Sequence, residues 1–216
     1  MKIAVALFDR FTALDAVGPY EVLSRLPGAE LTFVGYEKRL FRTDIGALAL
    51  LAGASFDEVD RADILVVPGG PGTRAMMTDE ALLGWVRKIH ATTQWTTSVC
   101  TGSLVLGAAG LLKGIEAVTH WGAMHELEAV GATPLAERVV IRGKIVTAAG
   151  VSAGIDMGLT LAARIAGEEI AKAIQLGIEY DPQPPFDSGH PRSASPDTVQ
   201  LVAELMRQSE QATAAA

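Results

Sequence analysis

The run Ser98-Val99-Cys100-Thr101-Gly102 places one thiol between an apolar stretch and a helical pattern, with small residues two positions to either side. This is the layout of a nucleophile elbow, in which small neighbours let the chain turn sharply and lift the reacting side chain into a crevice. A helix beginning behind the sulfur aims free N–H groups and its positive dipole end at it, which favours a thiolate. Cys100 is the only cysteine, and a lone cysteine is ordinarily a buried, inert side chain. The elbow is what argues for nucleophilic chemistry.

A thiol nucleophile needs an acid–base partner. Asp15, in Leu14-Asp15-Ala16-Val17-Gly18-Pro19, is the favoured one, although a carboxylate in a first helical turn also serves to meet free N–H groups there. Asp9 competes for the same edge, with neighbours that read as more exposed. Pro68-Gly69-Gly70-Pro71-Gly72 lacks the Lys-Ser/Thr ending of a phosphate loop. Its glycines let backbone N–H groups approach a substrate, so Gly70 and Thr101 are candidate backbone donors; the alternative is a tight turn. Among the histidines, His120 could reach the crevice, whereas His90 and His190 read as lying on a surface helix and in a proline-rich arm. His125-Glu126 resembles the start of a zinc-protease motif, but Ala129 stands where the second histidine belongs.

These residues must be positioned by the elements around them. Residues 3–8 and 64–67 are continuous apolar runs, as in parallel strands covered on both faces. Helical patterns follow at 13–26 and 79–90, and further strands read at 31–36 and 95–99. Residues 40–51 read as a hairpin or a pair of edge strands, and 137–148 as a hairpin pivoting on Arg142-Gly143. Helices are expected at 101–109, at 121–130 ended by Gly131, at 151–166 with many small residues, and at 168–178. The alternation predicts an open, doubly wound, mostly parallel α/β sheet with helices on both faces, whose ligands bind at the carboxyl ends of the strands. Prolines at 182, 184, 185, 191 and 196 make 180–196 an extended arm. Ser195-Pro196 opens a last helix, about 197–208, and the tail to Ala216 is expected to fray.

The 216 residues favour one large domain over two small ones. A single cysteine rules out an internal disulfide and multi-thiolate zinc sites, and fits a reducing, cytoplasmic setting. With 18 basic and 25 acidic residues and no basic stripe, nucleic acid is an unexpected partner. Mean hydropathy is high at +0.28, yet the uncharged stretch 89–112 opens too polar for a membrane span. The apolar run after Met1-Lys2 is too short for a signal sequence.

Several of these segments fall together in a known pattern. Leu14-Asp15 with Gly18-Pro19, Val67-Pro68-Gly69-Gly70, Ser98-Val99-Cys100-Thr101-Gly102-Ser103, the 108–114 stretch Ala-Ala-Gly-Leu-Leu-Lys-Gly, Thr119-His120-Trp121 and Ala153-Gly154-Ile155-Asp156 resemble the ThiJ/PfpI superfamily, in order and over nearly the whole chain. The resemblance implies a flavodoxin-like, class I glutamine amidotransferase-like fold. Within the superfamily the sequence most resembles isocyanide hydratases, including the stretch Tyr180-Asp181-Pro182-Gln183-Pro184-Pro185-Phe186. That implies hydration of an isocyanide to an N-substituted formamide, with Cys100 as nucleophile and Asp15 as its aspartate, in a homodimer without cofactors or metal. Trp121 and Val151 are then candidate apolar lining, with core packing as the alternative. The protease-like and glyoxalase-like branches place a glutamate near strand one and often a histidine after the cysteine; here those positions are Asp15 and Thr101. Another branch fuses a similar domain to an AraC-type DNA-binding domain, for which the residues up to Ala216 leave no room. A thiol redox sensor and a 2-oxoaldehyde enzyme remain the alternative activities.

Overall fold

The computed structural model describes residues 1–214, with side chains through 208. In chain order it contains β1 (Lys2–Ala6), α1 (Ala13–Leu23), β2 (Glu30–Gly35), β3 (Leu40–Arg42), β4 (Ala49–Leu51), β5 (Ala54–Ser55) and β6 (Ile64–Val67). Next come α2 (Thr73–Met76), α3 (Glu80–Thr92), β7 (Trp95–Val99), α4 (Gly102–Ala108), β8 (Glu116–Ala117), α5 (Met124–Ala129), β9 (Thr133–Pro134), β10 (Val139–Arg142) and β11 (Ile145–Ala148). The helices α6 (Ala153–Ala166), α7 (Glu168–Gly177) and α8 (Pro196–Ala214) complete the order.

Seven strands form one sheet in the order β10-β11-β7-β6-β1-β2-β5. All its neighbours run parallel except the edge pair β10–β11. The fully buried residues of β6, and of β1 after Lys2, explain their unbroken apolar runs: both faces of a parallel sheet are covered. The chain leaves β1 toward β2 and later returns to β6 on the other side of β1, so the order reverses between β1 and β6. A crevice opens at such a switch point, beyond the carboxyl ends of the strands. β1, β6 and β7 are three adjacent strands, and the segments that follow them carry Asp15 (in the first turn of α1), Gly69-Gly70 and Cys100 respectively.

The small-residue face of α6 has a packing reason. A Cβ at Gly158 would stand 2.9 Å from Val22 Cβ, and one at Gly154 would stand 3.1 Å from both Pro19 and Val99. Glycine therefore lets α6 lie close against α1 and the end of β7. The 40–51 segment is an antiparallel hairpin outside the main sheet, with Leu40 opposite Leu51. The helix expected over 121–130 begins as one 3₁₀ turn at Trp121–Ala123 before α5, and Gly131 ends it at φ +88°.

The chain divides into two compact units, 1–178 and 179–216, the second comprising the arm and the last helix. The first holds the sheet. In the second, residues 180–195 form no helix or strand, and Ser195 Oγ accepts the Thr198 N–H at 3.2 Å as the N-cap of α8. The fraying expected at the chain end concerns in part residues 215–216, which lie outside the described residues. Among the described residues no helix is long and apolar enough to cross a membrane.

Candidate active site

Cys100 follows directly on β7 and sits at φ +55°, the left-handed region that a side-chain-bearing residue rarely enters. The turn is held from several directions. The Cys100 N–H donates to the carbonyls of Ala148 at 3.1 Å and Ala149 at 2.8 Å. Its own carbonyl accepts from Thr119 Oγ1 at 3.0 Å and Ser103 Oγ at 3.2 Å. A strained conformation persists where its surroundings over-determine it, and here four partners from the end of β11 and the residue after it, the 118–120 segment and α4 do so.

Asp15 lies in the first turn of α1 and is fully buried. Its carboxylate does not cap its own helix. Oδ2 accepts the Gly69 N–H at 2.9 Å, across 54 residues of sequence. Pro19 lies four residues on and lacks the N–H that a helix would aim at the Asp15 carbonyl. Oδ1 has no hydrogen-bond partner among the described residues, and besides the Gly69 N–H the groups that act on Asp15 are the Cys100 thiol and, raising it, Asp44.

The ionisation of this pair differs from that expected of a thiolate at a helix start. Burial pushes the Asp15 carboxyl up to about 7, against the opposing pull of the Gly69 N–H and the thiol. Burial first, and the Asp15 charge second, drive the Cys100 thiol well above its ordinary range, although the Thr101 backbone and side chain pull it down. The dipole of the short helix α4 is thus outweighed by desolvation, and the resting form is a neutral thiol beside a carboxyl that titrates near neutrality. Because the groups are coupled, that proton belongs to the pair.

The two candidate backbone donors separate. The Thr101 N–H bears on the Cys100 thiol. The Gly70 N–H is engaged at 2.9 Å by Thr101 Oγ1, which also lies 3.0 Å from Thr73 Oγ1, so Gly70 locks the loop and presents no free donor. Gly69 is the residue that reaches the carboxylate, and it can be nothing larger: a Cβ there would stand 2.5 Å from the Thr101 nitrogen. The Gly69 carbonyl also accepts the Thr12 N–H at 2.8 Å, tying the loop to the start of α1.

Asp9 is drawn to the exposed side, where Arg39 pairs with it at 2.6 Å, the Arg42 N–H donates to it, and its carboxyl is held below the usual range by Arg39. His120 caps the 3₁₀ turn, its Nδ1 accepting the Gly122 N–H at 3.2 Å, and its ring lies 5.4 Å from that of Trp121. With Nδ1 accepting, the ring proton sits on Nε2, and burial lowers the pKa of the ring. A Cβ at Gly150 would stand 3.4 Å from the His120 ring, which places His120 beside the loop after Ala149. Val151 follows Gly150 and packs partly buried against the core. His90 is half-buried with Nδ1 at 2.8 Å from Thr96 Oγ1, and His190 Nδ1 accepts the Arg192 N–H, so both have local structural partners. Sequence reading missed Thr119 and Gly69. The only signal was their place beside residues already singled out, His120 and Gly70.

Residues 1–164 match the sequence model of the DJ-1/PfpI family. The chain belongs to that family. Over 194 residues it is 43% identical to the isonitrile hydratase of Pseudomonas putida, an alignment covering 90% of this chain and 85% of the relative. A ThiJ/PfpI family protein from Pseudomonas syringae superposes with a TM-score of 0.93 at 36% identity, over 97% of this chain and 87% of that one. The deglycase PfpI of Pyrococcus furiosus is 27% identical over 149 residues, 68% of this chain and 89% of its own. The α/β fold with a mostly parallel sheet is the DJ-1/PfpI fold, and the matched span takes in Asp15, Gly69 and Cys100 but not the arm or α8.

Proposed function

We propose that the chain hydrates isocyanides to N-substituted formamides, with Cys100 as nucleophile and Asp15 as the group that moves the proton. The observation that carries the reading is the pair itself: one neutral thiol and one buried carboxyl at the switch point, with Thr101 rather than a histidine after the cysteine. The 43% identity to an isonitrile hydratase supports it.

An isocyanide carbon is attacked and protonated at the same atom. Sγ forms the C–S bond while its proton passes to the Asp15 carboxylate and from there to that carbon, leaving a thioimidate, R–N=CH–S, on Cys100. Asp15, again a carboxylate, accepts a proton from water as the water oxygen adds to the same carbon. The nitrogen takes up that proton. The C–S bond then breaks, the formamide leaves, and the oxygen's proton returns to the thiol. Each turn consumes one water and one isocyanide, with no change of oxidation state in the protein. Gly69 holds Oδ2 throughout, so Oδ1 is free to carry the proton.

Only the ionised carboxyl can take the thiol proton. Asp15 is raised to about 7, so kcat/KM is expected to rise with pH through about 7 and level off above it. A profile flat from pH 5.5 to 8.5 would exclude this pair as proton carrier. The activity itself is tested by assaying one preparation with an aryl isocyanide and, in parallel, methylglyoxal. Formamide from the first and no loss of the second is the expected result; consumption of methylglyoxal alone overturns the reading in favour of a 2-oxoaldehyde enzyme. A redox sensor needs an accessible thiol of low pKa, whereas Cys100 is 6% exposed and its thiol is raised. The reading includes a homodimer, checked by light scattering, and a cytoplasmic setting that keeps the one thiol reduced.

A further inference from the structure

Asp15 belongs to a chain of hydrogen bonds that ends on a second carboxylate. The Gly69 N–H holds Asp15 Oδ2, the Gly69 carbonyl takes the Thr12 N–H at 2.8 Å, and the Thr12 carbonyl takes the Asp15 N–H at 3.1 Å. Thr12 is the N-cap residue of α1, yet its hydroxyl caps no N–H of that helix. It donates instead to Asp44 Oδ2 at 2.9 Å. Asp44 lies in the turn between β3 and β4. Its backbone N–H donates to the Phe11 carbonyl at 2.9 Å, and Thr43 bridges to Phe11. The turn is thus fastened to both residues that precede α1. The other Asp44 oxygen, Oδ1, accepts the Ile45 N–H at 2.9 Å. Both donors are neutral, and Arg42, the cation of the same hairpin, turns to the Gly46 carbonyl at 2.9 Å. The Asp44 charge is therefore held in place by groups that do not cancel it. On the opposite side, α6 meets α1 through Gly154, Ile155 and Gly158, which carry no charge. Cys100 after β7 and Asp44 after β3 are the titratable groups that act on Asp15.

We infer that Asp44 is a positioning residue for the proposed reaction: its carboxylate charge, fixed at the start of α1 by Thr12, strengthens Asp15 as the base that takes the Cys100 proton. A fixed negative charge favours the protonated form of a neighbouring carboxyl. Burial is the largest cause of the raised Asp15 carboxyl, and the Asp44 charge adds to it. The increase matters because burial drives the thiol up as well, and a carboxylate of ordinary basicity would be a poor acceptor for its proton. This role rests on Asp15 being the proton carrier of the proposed function, and one arm of its test reads Asp15 without turnover.

Full-length wild type, Asp44→Asn and Asp44→Ala are prepared with isotope-labelled aspartate carboxyls. The Asp15 signal, identified by its loss in Asp15→Asn, is titrated by NMR. Asparagine keeps an oxygen for the Thr12 hydroxyl or the Ile45 N–H but carries no charge. The Asp15 midpoint is expected to fall by about half a pH unit in both variants, the scale of a like charge removed from a partly screened neighbour. Salt at about 1 M should shrink the difference from wild type. An unmoved midpoint in Asp44→Asn, with or without a fall in Asp44→Ala, overturns this role. In turnover, a weaker base is ionised more fully at low pH but pulls less on the thiol proton. The kcat/KM of Asp44→Asn should therefore lie about twofold above wild type below about pH 6, and about twofold under it above about pH 8. A purely structural part for Asp44 would lower the rate at every pH, and that result also overturns the role. If the Asp15 midpoint falls as expected while wild type hydrates no isocyanide, the action of Asp44 on Asp15 stands and the hydratase reading falls.

Discussion

Asp15→Asn is expected to lower isocyanide hydration by about 10²–10⁴-fold, the usual worth of a positioned proton carrier, while changing how stability depends on pH. Cys100→Ala removes the bond-forming atom and should leave no measurable turnover. The asparagine keeps an oxygen for the Gly69 N–H but cannot relay the thiol proton, so its loss of rate isolates proton transfer from loop geometry. Any turnover in Cys100→Ala, or a near-wild-type rate in Asp15→Asn, sinks the proposed mechanism. The stability arm follows from linkage. Asp15 is raised from an ordinary 3.8 to about 7 in the fold, so between those values the folded chain holds a proton that the unfolded chain has released. Stability from this source is therefore full below about 4, falls as pH rises, and is lost above about 7, by at most about 4 kcal/mol. Thermal melts of wild type and Asp15→Asn at pH 5 and pH 8 should show the wild type losing more on going to pH 8. His90 and His120, whose pKa values burial lowers, act equally in both proteins and cancel in the difference. Parallel pH dependences would show that the Asp15 carboxyl is not raised in the fold and titrates there as it does in the unfolded chain.

Gly102→Ala is the second large effect. A Cβ at that position would stand 2.1 Å from the Val67 carbonyl oxygen and 2.8 Å from that of Pro68. Both are backbone atoms at the end of β6, so no rotamer change relieves the contact and α4 must move away from the strand. Overpacking of this kind costs about 3 kcal/mol or more, which for a chain of this size lowers the melting temperature by about 6–12 °C. The displacement also carries Thr101 away from Gly70, so hydration should fall with stability. Gly84→Ala is the paired control. That glycine lies within α3 and a Cβ there meets nothing within 4 Å. It should be neutral or raise stability by up to about 1 kcal/mol through helix propensity. Equal melting temperatures for Gly102→Ala and wild type would show that β6 and α4 are less closely joined than described.

Much of the scaffold could be read from residue order. The unbroken apolar runs of β1 and β6 announce strands covered on both faces, and the glycines and prolines after them announce the loops. The glycine-rich pattern of α6 is legible as a buried helix, yet only packing shows that Gly154 and Gly158 admit Pro19, Val99 and Val22. Two-residue strands such as β5, β8 and β9, and the four-residue helix α2, carry too few residues to show a period. They exist because neighbours already in place offer them hydrogen bonds.

The sequence by itself determined which residue could attack, because an elbow is a local matter of small residues around one nucleophile between strand and helix. It also determined that Asp15 and Cys100 lie at the same edge, since parallel strands put all their carboxyl ends together. Tertiary structure alone decided the protonation of that pair, because desolvation sums over side chains brought in from many elements. It also decided that Gly69 rather than Gly70 holds the carboxylate, that Thr119 holds the Cys100 carbonyl, and that Arg74 meets Glu126. Each is a contact between residues 19 to 54 positions apart. Local spacing records which way a side chain points within its own element, not which distant group the packed sheet places in front of it.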